Sequence, residues 1–208
     1  MLNILFRILA VMAAFVGLVL LIGSLLPRSF ETATSIVIDA PPEQVFPHIN
    51  QIRMWSNWSM WNEHDIRDLK VEYSGAEAGV GAVQKWSEPR GEGKLWITES
   101  LPNREIQFSS TFGDFPKMDS RIVLSNDQGK TRVRWHSLGE LPGGPFYGWF
   151  GSAYSGGLSA IYDKSLEKLK RHVEQQPASE SNSDESNSDE SNSDEPNSDE
   201  PNSDESEN

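Results

Sequence analysis

The sequence predicts an α+β fold, in which an antiparallel sheet of about seven strands carries a long C-terminal helix and follows a separate apolar N-terminal helix. Three observations predict it. Short segments of alternating polarity succeed one another through the middle of the chain, separated by turn residues, as an antiparallel sheet requires. Residues 158–173 keep their apolar side chains to one helical stripe, and such a helix needs a sheet to lie on. Residues 8–26 carry no charge at all, which sets them apart from both.

The N-terminal segment comes first. Ile8 to Leu26 is nineteen residues with Ser24 as its one polar side chain. At ~1.5 Å per residue it spans roughly 28 Å, about the hydrocarbon thickness of a bilayer. A cleaved signal is the competing reading, but the run exceeds the usual ~7–15-residue apolar core and no small-x-small cleavage site follows. The expectation is therefore an uncleaved single-pass anchor, residues 1–30, with the bilayer as its partner. A chain without cysteine cannot be a bacterial lipoprotein, form disulfides or use thiolate ligands. Arg7 and the terminal amine on one side, against Arg28 diluted by Glu31 on the other, place the N-terminus in the cytoplasm and the domain outside it. A bacterial inner membrane is the expected location.

From Ser35 the chain reads as a strand, with Ile36 and Ile38 on one face and Val37 on the other, and Asp39 stops it. Ala40-Pro41-Pro42-Glu43 launches an amphipathic helix bearing Val45, Phe46 and Ile49, since proline suits a first helical turn. Trp55, Trp58 and Trp61 follow at a spacing of three. Such a row is more often packing between helix and sheet than a ligand cage, and its indole N–H groups need partners if buried. Further strands are expected at Leu69–Tyr73, Val83–Trp86, Lys94–Ser100, Glu105–Phe112, Asp119–Leu124 and Thr131–Ser137. Pro89-Arg90-Gly91, Leu101-Pro102-Asn103 and Asn126-Asp127-Gln128-Gly129 are the turns between them, the last a strong hairpin signal. After a glycine-rich stretch from Gly143 to Gly157, Leu158, Ile161, Tyr162, Ser165, Leu166, Leu169 and Val173 form the apolar stripe of the closing helix. Basic residues favour its C-terminal end.

The tail, 176–208, repeats Ser-Asn-Ser-Asp-Glu and Pro-Asn-Ser-Asp-Glu. It has too little apolar surface to order itself, and it lacks the glycine-containing calcium-loop pattern. It carries twelve acids and no base, so residues 1–176 hold nineteen acids against eighteen bases. The overall charge of −13 thus belongs to the tail, and the body shows no basic patch or stripe for nucleic acid.

Strand, Ala-Pro-Pro-Glu, helix and W-x-x-W-x-x-W, together with Gly79-x-Gly81, Ile97-Thr98-Glu99-Ser100, Thr131-Arg132-Val133-Arg134-Trp135 and the closing helix, resemble the START-like (SRPBCC) superfamily. That superfamily includes the polyketide cyclase/dehydrase and lipid-transport proteins. The resemblance covers roughly 32–174 and implies, for residues 31–175, a helix-grip (START-like) fold: a curved sheet wrapped round the C-terminal helix and an apolar cavity. It also implies that Val133 and Trp135 point inward.

Alternation sorts the candidate residues. Leu95, Ile97 and Glu99 form one row, Ile106, Phe108, Ser110 and Phe112 another, Val133 and Trp135 a third. With Leu158 and Ile161 from the helix stripe, the cavity candidates are Leu95, Ile97, Phe108, Phe112, Val133, Trp135, Leu158 and Ile161. A filled core is the alternative; a ligand pocket would occupy ~300–1,000 Å³. Glu99 is the one carboxylate on an apolar row, where a raised pKa would suit acid–base work, although an edge position at the strand's end is the plainer reading. His48, His64, His136 and His172 share no metal-ligand spacing, and no nucleophile elbow or phosphate loop occurs. No metal or cofactor is expected.

Three functions remain open: a membrane-anchored binder of a lipid, quinone or other hydrophobic small molecule; a cyclase/dehydratase-type enzyme on an enclosed hydrophobic substrate; and a membrane-bound interaction module. In the first, the Gly143–Gly157 segment is the gate, or its Phe146, Tyr147, Trp149 and Phe150 dip into the membrane interface.

Overall fold

The computed structural model describes residues 2–175, so the expectation for the acidic tail lies outside the described residues. Helix α1 (Leu2–Leu25) is long and apolar enough to cross a membrane by length and composition. It is followed by β1 (Ser29–Ile38), α2 (Pro42–Asn50), a 3-10 turn (Ile52–Asn57), β2 (Lys70–Gly75), β3 (Ala82–Glu88), β4 (Gly91–Leu101), β5 (Glu105–Phe112), β6 (Phe115–Asp127) and β7 (Lys130–Glu140). A 3-10 turn (Tyr147–Trp149) then leads into α3 (Gly151–Glu174).

The seven strands form one antiparallel sheet in the order β1-β7-β6-β5-β4-β3-β2. Strands β2 to β7 are a meander, and β1 returns from the start of the chain to pair with β7. Alternation holds in β7, where Thr131, Val133, Trp135 and Ser137 are buried while Arg132 and Arg134 are exposed. The β6–β7 hairpin closes on Gln128 and Gly129, both with positive φ (55° and 85°), the requirement of a type I′ turn.

Helix α3 runs the length of β1 and ties to its free edge. Ser155 Oγ donates to Glu31 O, Thr34 Oγ1 donates to Asp163, Lys170 Nζ donates to Val37 O, and the Asp39 amide donates to Glu174 Oε1. The two ladders match in length: the nineteen steps from Ser155 to Glu174 rise ~28 Å and the eight from Glu31 to Asp39 ~26 Å. A strand edge that would otherwise be open is thereby covered. Beneath, Leu158, Tyr162, Ser165, Leu166, Leu169 and Val173 are buried against the sheet.

Several placements differ from the sequence reading. Strand β1 begins at Ser29, within the stretch assigned to the anchor, because Ser29–Thr34 pairs with Trp135–Glu140 of β7. Helix α3 begins at Gly151, so Gly156 and Gly157 lie inside it rather than in a loop. The tryptophans do not share a helix. Trp55 is in the 3-10 turn, Trp58 just beyond it and Trp61 in the following loop. Trp55 and Trp58 are core residues; their Nε1 atoms donate to Ile49 O (2.9 Å) and His48 O (3.0 Å).

Candidate ligand cavity

The concave face of the sheet, α3 and the tryptophan loop enclose a cavity of about 130 Å³. This is below the range of ~300–1,000 Å³ usual for drug-sized ligands and close to the ~150 Å³ that accommodates benzene. Aromatic rings take up the difference: ten of the twenty-one lining residues are Phe, Tyr or Trp. The wall is therefore one that suits a flat ring or a short hydrocarbon segment.

Of the eight candidates, Leu95, Phe108, Phe112, Trp135, Leu158 and Ile161 line this space. Ile97 and Val133 do not. They face the same way but lie in solid core, 1% and 0% exposed; Val133 is beside the end of the sheet that α2 contacts. Lining residues outside the sequence-based set include Phe30, Trp61, Trp86, Phe115, Tyr154 and Tyr162. Tyr162 was visible on the helix stripe and Trp86 in the β3 alternation. Phe30 and Phe115 carried no signal, since one follows the apolar helix directly and the other begins a strand beyond a turn.

Trp86 shows how the wall is built. It sits opposite Gly93 across β3 and β4, and a Cβ at position 93 would lie 2.1 Å from the indole. The missing side chain lets the ring lie across the neighbouring strand and stack on Phe112 at 6.3 Å and 11°. At the inner end, Trp135 meets Trp55 and Phe108 edge-on and stacks on Tyr162 at 4.0 Å. Ser137 Oγ lies 2.6 Å from Ser120 Oγ and 2.9 Å from the Tyr162 hydroxyl. Burial pushes the Tyr162 phenol far above its usual range, so it stays neutral and offers a hydroxyl to the cavity wall. The Nε1 atoms of Trp61, Trp86 and Trp135 are buried without a hydrogen-bond partner among the described residues.

Glu99 is placed elsewhere. Ile97 pairs with Phe108 but Glu99 pairs with Gln107, making Thr98 the extra residue of a β-bulge. Directly opposed residues share a face, so Glu99 joins Gln107 on the convex side. Ser100 turns inward in its stead and donates to Asn50 Oδ1 at 2.7 Å. The expected row of Leu95, Ile97 and Glu99 is thus broken, and the bulge is the reason. Among the described residues the cavity lining holds one carboxylate, Glu140, and no histidine, lysine or arginine.

The histidines are dispersed. His136 Nε2 meets Glu31 Oε1 at 2.7 Å on the outer face, and His64 sits in a loop where its amide donates to Asn62 Oδ1. His48 is buried, edge-on to His172 with ring centroids 5.1 Å apart. Among the described residues no three His, Cys, Asp or Glu side chains converge as a metal site would need.

Residues 29–174 match the family model described as polyketide cyclase / dehydrase and lipid transport. The chain belongs to that family. No curated protein matches it in sequence. Solved structures share the fold at low identity. Protein MLL2253 from Mesorhizobium loti is 17% identical with a TM-score of 0.53, covering 71% of this chain and 98% of its own. Protein CV1439 from Chromobacterium violaceum is 18% identical with a TM-score of 0.51, covering 70% and 98%. The Aha1 dimer from Colwellia psychrerythraea is 17% identical with a TM-score of 0.51, covering 70% and 96%. This polyketide cyclase / dehydrase and lipid transport domain is therefore START-like, a curved sheet closed by its C-terminal helix. At these identities the likeness extends to fold alone.

Proposed function

We propose that the chain is a membrane-anchored binding protein for a small hydrophobic molecule, a lipid, quinone or similar compound, held between the sheet and α3. The observation that carries this reading is an aromatic-walled cavity in a chain whose first helix is long and apolar enough to cross a bilayer. Three residues, Leu26 to Arg28, separate α1 from β1, or about 10 Å of chain. A domain so tethered stays in contact with a membrane reservoir of apolar molecules.

Cavity size narrows the ligand. A ring or short chain segment fits within; anything longer extends through the mouth or displaces side chains. The wall of hydroxyls and indoles, with its single carboxylate, supports binding better than acid–base chemistry. The anchor orientation belongs to the same proposal, with the domain outside the cytoplasm of a bacterial inner membrane; protease added to intact spheroplasts should remove the domain, and full protection would reverse the assignment.

Native mass spectrometry of the full chain, released from detergent micelles after purification from membranes, tests the binding reading. A discrete added mass, extractable into organic solvent, is the expected result. A clean apo mass, with no uptake of a fluorescent quinone or fatty-acid probe, would remove the proposal. Gly156 and Gly157 give a kinetic check, since a Cβ at either meets nothing within 4 Å. Alanine at both stiffens the start of α3 by about 1 kcal/mol per site and should slow probe exchange if this segment gates the cavity.

A further inference from the structure

The segment after β7 does not lie free over the domain; it is packed on α1. The Leu141 amide donates to Arg28 O at 2.9 Å. A Cβ at Gly148 would lie 2.3 Å from Gly23 O, and a Cβ at Gly23 would lie 1.9 Å from Pro145 O. Only glycine at both positions permits this approach. Trp149 Nε1 donates to Val19 O at 3.3 Å. Val19 precedes the end of α1 by six residues, a rise of ~9 Å. A ring bonded there lies level with the last two turns of the apolar helix.

Composition agrees with that depth. From Leu141 to Tyr162 the chain carries no charged side chain, and Glu140 and Asp163 bound it. Phe146 and Phe150 are 62% and 58% exposed, with Tyr147 and Trp149 also turned outward beside the exposed face of α1. Part of the backbone is satisfied locally, which lowers the cost of a lipid environment: the amides of Trp149, Phe150 and Tyr154 donate to Phe146, Tyr147 and Phe150 carbonyls. Arg28, exposed beside Gly143, follows the end of α1 by three residues, the place at which a cation flanking a span reaches phosphate headgroups.

The cavity lies at this end of the sheet. Its innermost wall, Trp55, Phe108, Trp135 and Tyr162, is buried, whereas Glu140 and Pro116 are exposed and Phe115 and Tyr154 partly so. Phe30 and Tyr154, in contact at 4.8 Å, follow α1 and the aromatic segment directly in sequence. We infer that Pro145–Phe150 is embedded in the same leaflet as the end of α1, and that the two together press the cavity mouth onto the bilayer so that the ligand passes between lipid and cavity without crossing water. The second half rests on the binding function proposed above; the embedding does not.

A chain without cysteine allows single nitroxide labels at Phe146→Cys, Phe150→Cys and, on the far hairpin, Ser125→Cys, each in the full chain in phosphatidylcholine/phosphatidylglycerol vesicles. Labels at 146 and 150 should collide with oxygen more than with a water-soluble nickel chelate, and the label at 125 should do the reverse. Adding Gly148→Leu should move the 146 label towards water. Chelate access at 146 and 150 equal to that at 125 would overturn the embedding. Embedded labels on a protein that binds no apolar molecule by mass would keep the embedding and remove the ligand route. A ligand-loaded protein with water-exposed labels would remove the route while leaving the binding function intact.

Discussion

His48 is buried on α2 beneath the end of α3. Its Nδ1 is buried without a hydrogen-bond partner among the described residues, its carbonyl accepts the Trp58 indole, and its ring meets His172. Burial, and then the nearby His172, hold its pKa below the ordinary 6.5. Protonation thus favours the unfolded chain, so stability is full above about pH 6.5 and declines as pH falls below it. Replacing His48 with Gln should flatten the fall in Tm between pH 7.5 and 5.5; an unchanged slope would assign the effect to other groups. Gly93 makes a second prediction. Alanine there drives a Cβ into the Trp86 ring, and overpacking of this kind costs about 1–3 kcal/mol, readable as a lower Tm together with a changed tryptophan emission. Glu99 illustrates how little a single residue discloses in isolation. Its row was legible, but one inserted residue at Thr98 sends it to the other face, and no local pattern marks a bulge.

At the scale of elements, α3 holds the domain together by two unequal means. Its apolar stripe is sealed under the sheet, with Leu166 and Leu169 at 1% exposure or less. Its polar seam to β1 lies at the surface. Leu166→Ala should therefore cost about 2–5 kcal/mol, whereas Asp163→Asn, which weakens the exposed contact with Thr34, should cost under about 1 kcal/mol. Denaturant titration of both variants separates packing from seam; equal losses would contradict this division. A second tie joins the helix to the tryptophan loop. Ser165 Oγ accepts the Met60 amide, and Lys168 binds Asp65, holding that carboxyl below its usual range. The loop carrying Trp61 is in this way fastened over the cavity by the same helix that floors it. Elements of this kind are legible in sequence: among the described residues the seven strands follow from period-2 patterning, α2 and α3 from period-3.6 patterning, and α1 from the length of its uncharged apolar run. Their ends were not, because pairing with a neighbour extends a strand past its pattern, as β1 does at Ser29.

For the whole molecule, the consequence of the fold is a cavity near the place where the chain leaves α1. Leu158→Trp, at a buried lining position, should fill the space and abolish the bound mass seen by native mass spectrometry while leaving the circular dichroism unchanged. Retained ligand in that variant would place binding elsewhere. The sequence by itself determined the antiparallel sheet, the inward faces of its strands short of the β4 bulge, the stripe of α3 and the separate apolar helix. The first three are local periodicities imposed by how a strand or a helix presents its side chains, and the last is an unbroken apolar run of membrane-spanning length. Tertiary structure alone decided which inward residues line space and which are solid core, why Ile97 and Val133 differ from Leu95 and Trp135, and how Gly148 comes to rest on Gly23. Those outcomes depend on volumes and approaches between residues far apart in the chain, and a one-dimensional pattern carries the faces of its elements but not the distance between them.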